Sequence, residues 1–351
     1  MKTSALLDEN ALRTPQAELH HVVTELPVLV ILPHNRCNCR CMMCDIWKIR
    51  QVREITSRDL QPHLESLRAL KVRWIVFSGG EPLLHSDLPA LSEPLRKEGI
   101  RLTLLTAGLL LERKAGLVAE HFDDLIVSLD GPPDVHDRIR GVRNAFERLS
   151  RGVAAVRALN PRVAAQGRCT VQKANHGFLR ETVLSARRIG MSSISFLAAD
   201  LVGEAFNRPG GWSPNQQGSV ALANQEIEEL GSEIESLIAE FSEDIRNGFI
   251  VESAGKLRRI VYHFRAHQGA VQPLAPRCNA PWVSAVIETD GAVRPCFFHP
   301  AIGNVQDGAL SEVINSEQAV QFRRDLDVAT NAICRRCVCS IYVPSAPITH
   351  S

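Results

Sequence analysis

The sequence predicts an α/β fold built on a parallel sheet, with a small cysteine-rich module behind it. Two observations lead there. Between about residues 26 and 200, six short β-branched runs alternate with segments of helical period. Of the ten cysteines, four lie between positions 37 and 44 and five between 278 and 339, leaving Cys169 alone. Six β–α alternations imply a parallel sheet wrapped by helices. In such folds chemistry sits at the C-terminal ends of the strands, which is where the first cysteine cluster falls.

The predicted strands are Val28–Leu32, Trp74–Phe77, Leu102–Thr106, Leu125–Leu129, Ala164–Val171 and Ile194–Leu197. Each is short, apolar and bounded by Gly, Pro, Asp or Ser, as buried parallel strands are. Between them, Leu60, Leu64 and Leu67 share one helical face behind a Thr56/Ser57 start. Further helical segments cover roughly 87–98, 110–120, 142–158 and 178–189. After Leu201 the pattern breaks into a turn-rich stretch, 203–218. An amphipathic helix follows, carrying Ile227, Leu230, Ile234, Leu237, Phe241 and Ile245 at spacings of three or four, with glutamates on its solvated face. The expected division is an N-terminal extension (1–25), a βα region (26–200), a loop and amphipathic helix linker (201–275) and a cysteine-rich module (276–351).

Composition narrows the function. Hydrophobic residues make up 45% and charged residues 23% of 351, an ordinary globular balance. Lys plus Arg number 40 against 39 Asp plus Glu, so no basic surface points to nucleic acid. The first 25 residues hold Asp8, Glu9, Glu18 and Glu25 and no apolar core of a secretory signal. The run Leu26–Leu32 is strand-sized and too short to cross a bilayer. The expected setting is therefore soluble and cytoplasmic, where thiols stay reduced. Ten cysteines are too sparse for a disulfide scaffold, and clustered ones read as metal ligands.

The segment after the first strand reads H-N-R-C-N-C-R-C-M-M-C-D-I-W, in which Cys37, Cys41 and Cys44 form C-x3-C-x2-C. One tight loop can point three such thiolates at one centre, holding a [4Fe–4S] cluster by three corners and leaving its fourth iron open. The competing reading is zinc, since C-x2-C is often half a zinc site and Cys39 would complete a set of four. Zinc ribbons, however, separate their ligand pairs by a dozen or more residues. One strand later, W-I-V-F-S-G-G-E-P ends in a Gly-Gly turn that lets backbone approach something a Cβ would strike.

With these motifs the chain resembles the radical S-adenosylmethionine (SAM) superfamily. The resemblance implies a partial (βα)6 parallel barrel in which Cys37, Cys41 and Cys44 hold the cluster and Cys39 is a bystander. It implies that the open iron binds SAM, that a flavodoxin- or ferredoxin-type donor supplies an electron, and that the resulting 5′-deoxyadenosyl radical removes a substrate hydrogen. Gly79, Gly80 and Glu81 match the segment that holds the SAM amino group. Thr106 faces the site in a T-A-G where many relatives have T-N-G, so Ala107 lacks the amide. Ser128 and Asp130 match the segment contacting the SAM ribose or carboxylate, and Arg140 is either an anion contact or a surface arginine. Ile194–Leu197 matches the strand that lends apolar backbone to the adenine pocket.

Residues 278–296 read C-x12-G-x4-C, a hairpin with D-G as its turn, followed by Cys334-x2-Cys337-x-Cys339. Four such thiolates would hold an auxiliary [4Fe–4S] cluster, and the same spacing admits a four-cysteine zinc site. This part resembles the twitch domain, the short form of the SPASM extension. The resemblance implies Cys278, Cys296, Cys334 and Cys337 as ligands, with Cys339 spare or in place of Cys337. Because the chain ends twelve residues after Cys339, one auxiliary cluster is expected. Cys169 reads as a small core residue.

The expected activity is oxidation or crosslinking of a small molecule or peptide. The short segment before the barrel, 25 residues, leans toward a small molecule or a separately delivered substrate. Alternatives are a SPASM-type peptide maturase and, outside catalysis, a zinc or electron-transfer protein, which would have no need of G-G-E-P. No cobalamin-binding domain is visible for a methyltransferase. Asn207, Arg208 and Trp212 in the 203–218 loop are candidate substrate contacts, with an ordinary connector as the competing reading. No substrate-side acid or base is identifiable.

Overall fold

The computed structural model describes residues 21–344, so most of the expected N-terminal extension lies outside the described residues. In chain order the elements open with β1 (Val28–His34), α1 (Ser57–Leu60), α2 (Leu64–Ala69), β2 (Trp74–Gly79), α3 (Leu88–Lys97) and β3 (Arg101–Thr106). They continue with α4 (Ala115–His121), β4 (Asp124–Ser128), α5 (Pro133–Arg140), α6 (Ala145–Leu159), β5 (Ala164–Val171), α7 (Leu179–Ile189) and β6 (Ser193–Ala198). Four helices follow: α8 (Pro214–Val220), α9 (Asn224–Glu240), α10 (Ser242–Arg246) and α11 (Ala254–His267). The chain closes with α12 (Ala280–Val283), β7 (Ser284–Ile287), β8 (Ala292–Arg294), β9 (Gly303–Asn304), α13 (Leu310–Ile314), α14 (Glu317–Asp325) and α15 (Ala332–Arg335).

All six expected strands form, and they pair in parallel in sequence order from β1 to β6. The sheet then extends past β1. Strand β7 pairs with β1 in parallel, Val28 opposite Ser284 through Ile31 opposite Ile287, and β8 and β9 follow antiparallel. The first cluster loop thus leaves a strand that is bonded on both sides. Gly291, at φ +84°, makes the D-G turn between β7 and β8, as the sequence predicts.

Alternation along the strands sorts the side chains to two faces. Leu29 and Ile31 of β1, Ile75 and Phe77 of β2 and Leu102 and Leu104 of β3 join one core beneath the helices. On the opposite face Val30, Val76 and Val286 form a smaller apolar cluster with Leu32, Trp74, Leu105 and Phe297. Farther along that face the strands turn polar. In β5 the buried Ala165, Gly167, Cys169 and Val171 alternate with the half-buried Gln166, Arg168 and Thr170. Cys169 is fully buried in the core, and burial pushes its thiol pKa up.

The outer edge of β6 is covered rather than left open. The Ile194 amide donates to Phe249, Val251 donates back to Ile194, and the Glu252 carboxylate accepts from the Ser195 hydroxyl and the Phe196 amide.

Several elements differ from expectation. The stretch read as a turn-rich loop, 203–218, ends in helix α8, which Ser213 caps and Pro214 starts. The helical face of Leu60, Leu64 and Leu67 is split between α1 and α2 by a tighter turn at Gln61–His63. Residues 133–140 form a helix, started by Pro133 and ended by Gly141 in the left-handed region. The amphipathic helix over 227–245 is two helices, α9 and α10, interrupted at Phe241 (φ −108°, ψ 31°). Helix α11 was not foreseen; Leu257, Ile260, Val261 and Phe264 are its buried stripe, and it packs on α9 and β6. The stretch expected as a linker is a helical layer.

Because β7 covers the β1 edge, a chain ending at residue 276 would expose both that edge and Val30. Such a chain is expected to elute in size-exclusion chromatography as aggregate where the full chain does not; an unaggregated elution profile would show that the edge is protected in another way.

Candidate functional site

Residues 35–54 leave β1 with only one three-residue helical turn, Ile46–Lys48, so their backbone groups find partners elsewhere. Three neighbours supply them. At the end of β2 the Glu81 amide donates to Arg36 at 2.7 Å and the Gly80 amide to His34 at 3.2 Å. At the end of α5, Arg140 and Ile139 carbonyls accept from Arg40 at 2.9 Å and Met42 at 3.1 Å. The loop after β6 completes the frame: the Asp45 amide donates to Phe206 at 3.2 Å and the Asn207 side-chain amide to the Asp45 carbonyl at 3.0 Å.

The glycines follow from this crowding. A Cβ on Gly80 would lie 2.1 Å from the Arg36 carbonyl oxygen, and one on Gly141, at φ +63°, would lie 2.7 Å from that of Arg40. What a side chain at Gly80 would strike is therefore the cysteine loop itself. Gly79, at φ +104°, turns the chain beside Leu32. Both glycines of G-G-E-P remain half-buried.

Glu81 is turned the other way. Its fully buried carboxylate accepts from the Thr106 hydroxyl at 2.8 and 2.9 Å, the Ala107 amide at 2.9 Å and the Leu83 amide at 3.1 Å. Burial raises its pKa, and these donors act against the rise. Thr106 is likewise occupied, donating to Glu81 and accepting from Gly108. Together they latch the β2 turn to the β3 turn, so what the G-G-E segment presents outward is backbone.

Asp130 and Arg140 form a second buried latch. Arg140 Nη2 lies 2.5 Å from Asp130 Oδ2, and Arg140 Nη1 lies 3.5 Å from the Cys41 sulfur. Asp130 also accepts from the Thr170 amide. Burial raises the Asp130 pKa while the guanidinium opposes that rise. Arg140 is thus an anion contact inside the protein, and its anions are Asp130 and the cysteine loop. The Cys41 thiol is drawn down to about 6, first by its hydrogen bond with Cys39 and, against burial, by the Arg140 charge. Cys39 is buried and its pKa raised, chiefly because its thiol hydrogen-bonds to Cys37 and Cys41. Burial, reinforced by Cys41, pushes Cys44 up to about 12.

Ser128 is half-buried at the end of β4, and the β4–β5 register sets it opposite Arg168. Arg168 was missed in the sequence; its Nε is buried without a hydrogen-bond partner. The signal was the alternation in A-A-Q-G-R-C-T-V, which puts Arg168 on the face opposite to that of Cys169.

The three loop residues expected at a substrate face the cysteine loop instead. Arg208, 3% exposed, donates to the Asp200 carbonyl and carboxylate at 2.9 and 3.0 Å and to the Met43 carbonyl. It stacks 3.6 Å from the Trp212 ring centre, and Trp212 donates to the Asp45 carboxylate at 2.8 Å. Asn207 holds Asp45 as described, so the loop is a clamp.

In the C-terminal module five thiols gather. Cys278, Cys296 and Cys337 each feel the Cys339 charge, and Cys334 feels Cys296 and Cys278. Burial is the first cause in every case, pushing Cys296 up to about 11 and Cys334 to about 12. His299 Nε2 lies 3.3 Å from the Cys334 sulfur, and the Cys337 thiol donates to the Cys339 carbonyl at 3.1 Å. All ten cysteines are free thiols. Clustered thiols are the donor type of an iron–sulfur group, whose cationic core would make the thiolate form favourable; among the described residues no group of three or more His, Cys, Asp or Glu is already arranged as the ligands of one metal ion.

Comparison with known proteins agrees with this chemistry. The profile of the radical SAM superfamily matches residues 31–170, and that of SPASM, an iron–sulfur cluster-binding domain, matches residues 278–338. The Fe-coproporphyrin III synthase of Methanosarcina barkeri is 32% identical over 131 residues, 36% of this chain and 33% of that protein. The PqqA peptide cyclase of Xanthomonas axonopodis pv. citri is 32% identical over 142 residues, 38% of this chain and 37% of the cyclase. The chain thus spans about a third of the length of these curated relatives. Streptococcus suis SuiB bound to its precursor peptide SuiA shares the fold, with a TM-score of 0.64 at 15% identity over 92% of this chain and 73% of SuiB. The same enzyme has also been solved bound to SAM.

Two variants test the clamp and the close approach. Arg208→Met leaves Asp200 buried and unpaired and is expected to cost about 3–5 kcal/mol in denaturant unfolding. Adding Asp200→Asn should recover part of that loss; a strictly additive double variant would contradict the pairing. Gly80→Ala forces the turn away from Arg36 and is expected to cost roughly 1–3 kcal/mol, where an unchanged midpoint would show that the loop yields freely.

Proposed function

We propose, for a chain that carries a radical SAM domain joined to a SPASM domain, that it cleaves SAM reductively and oxidises or crosslinks a bound substrate. The observation that carries this reading is the clamped three-cysteine loop at the C-terminal end of β1, set against the Gly79–Gly80 turn. Cys37, Cys41 and Cys44 are the ligands we assign to the SAM-binding [4Fe–4S] cluster. Cys278, Cys296 and Cys334 are assigned to one auxiliary cluster, with Cys337, or Cys339 in its place, as the fourth ligand.

Once bound, the cluster and SAM supply a one-electron cleavage of SAM and the removal of a hydrogen atom from the substrate. The chain's own residues prepare that chemistry. Arg140 keeps a positive charge beside Cys41, which favours thiolate. The Gly79–Gly80 backbone, Ser128 and Arg168 are the groups we assign to the polar ends of SAM. Val30, Val76, Leu105 and Phe297 line the same sheet face with apolar surface, which keeps water from the reacting atoms. Glu81, Thr106 and Asp130 act here as positioning residues, because their polar atoms are engaged within the fold.

The proposed substrate is a small molecule or a peptide. A tetrapyrrole-type small molecule is suggested by the porphyrin synthase relative, and a peptide by the cyclase relative and by SuiB's precursor peptide SuiA. The proposed electron donor is of flavodoxin or ferredoxin type, and the proposed setting is the reducing cytoplasm. Among the described residues no helix is long and apolar enough to cross a membrane.

After anaerobic iron–sulfur reconstitution, SAM and dithionite should yield 5′-deoxyadenosine and methionine. Replacing Cys37, Cys41 and Cys44 together with Ala should abolish that product while leaving the C-terminal iron in place; retained cleavage would sink the assignment. Replacing Cys334 and Cys337 should remove about half of the iron, as two four-iron centres require, and release of zinc instead would overturn the auxiliary-cluster assignment.

A further inference from the structure

A cavity separates the end of β6 from the C-terminal cysteines. Leu201 and Val202 form one wall, α11 another, and Arg335, Arg336 and Cys337 a third. It offers about 50 Å³ of room for water-sized occupants. That volume takes a few waters, hence one carboxylate or phosphate group rather than a whole cofactor.

Its charge is one-sided. Arg259 of α11 lines it together with Arg335 and Arg336, and its lining contains no Asp or Glu. Arg259 Nη2 donates to the Leu274 carbonyl and Arg335 Nε to the Pro273 carbonyl at 2.8 Å. These bonds orient the guanidiniums without neutralising them. Arg259 Nη1 is buried and has no hydrogen-bond partner. Its neighbours on the same helix differ: Arg258 pairs with Glu235 at 2.7 Å and Arg265 with Glu228 at 2.9 Å, both on α9. Among the described residues Arg259, Arg335 and Arg336 make no ion pair with a carboxylate. Burial draws the Arg259 pKa down, and the charge that acts against it is first that of Cys337, not a carboxylate. A desolvated guanidinium without a carboxylate partner is costly, and a bidentate oxyanion is the ligand that relieves the cost.

We propose that this cavity binds an oxyanionic group, a carboxylate or a phosphate, at the charged end of the substrate. That the ligand is the substrate rests on the radical SAM reading; that the cavity takes an oxyanion does not. The place suits it, because a molecule anchored there lies between the β6 end of the barrel and the Cys337 group.

Calorimetric titration of the reconstituted holoenzyme with succinate and, separately, inorganic phosphate, without SAM or reductant, tests the site. At least one anion should bind saturably, and whichever binds identifies the oxyanion. Arg259→Gln should weaken that binding about ten-fold or more, the loss of one charge-assisted hydrogen bond. Arg336→Gln removes an exposed side chain and should weaken binding several-fold even if Arg259→Gln loses iron. If neither anion binds, or if both variants bind as the parent does, the proposal is wrong. The alternative, that the arginines serve only the charge of the neighbouring cluster, predicts no anion binding and a shifted reduction potential in both variants. Since the titration involves no SAM cleavage, failure here and failure of the radical SAM reading are separate results.

Discussion

The structure turns on one constraint: a loop of about twenty residues must hold three cysteines still while having almost no secondary structure of its own. Its peptide groups cannot be left unsatisfied in a partly buried site, so three other parts of the chain are shaped to meet them. The β2 turn has Gly80 because any Cβ would strike Arg36. The α5 terminus has Gly141 because its φ is positive and a Cβ there would press on the Arg40 carbonyl. The loop after β6 reaches back with Asn207, Arg208 and Trp212 to hold Met43 and Asp45. Each latch is anchored in turn by a buried charge: Glu81 on Thr106 and Ala107, Arg140 on Asp130, and Arg208 on Asp200. Buried ion pairs add little net stability, but breaking one is expensive, and that property suits a loop whose geometry matters more than its energy.

Much of this was legible in the sequence, and what was not has physical reasons. The six strands were visible because parallel strands buried on both faces read as unbroken apolar runs, Val28–Leu32 being the clearest. The D-G turn of the β7–β8 hairpin was readable because few residues adopt its dihedrals. That β7 would join β1 in parallel was not, since a four-residue apolar strand carries no record of its partner. Helix α5 was hidden because P-D-V-H-D-R-I-R has only two apolar side chains, Val135 and Ile139, to mark its period.

The site shows the same division. The residue types in G-G-E-P, S-L-D-G and R-P-G-G-W announced a function, yet sequence alone does not say which way a side chain points. Glu81, Thr106 and Asp130 point inward and set the turns; Arg208 and Trp212 reach the cluster loop and not open space. Arg168 went unnoticed because its meaning lies in facing the polar half of the sheet beside Ser128, a relation that appears only once the register is fixed. The two cysteine groups also differ in a way spacing conceals. Cys41 is drawn down, first by its bond with Cys39 and then by the Arg140 charge, whereas the C-terminal thiols are pushed up, first by burial and also by one another.

The most direct test of the account is low-temperature electron paramagnetic resonance of the reconstituted, dithionite-reduced protein, recorded with and without SAM. Two reduced cluster signals are predicted, of which SAM shifts only one, and the shifted signal is absent from a Cys41→Ala variant. A spectrum that SAM leaves unchanged, from protein holding its full iron, would contradict the claim that the clamped loop at the end of β1 is the SAM site.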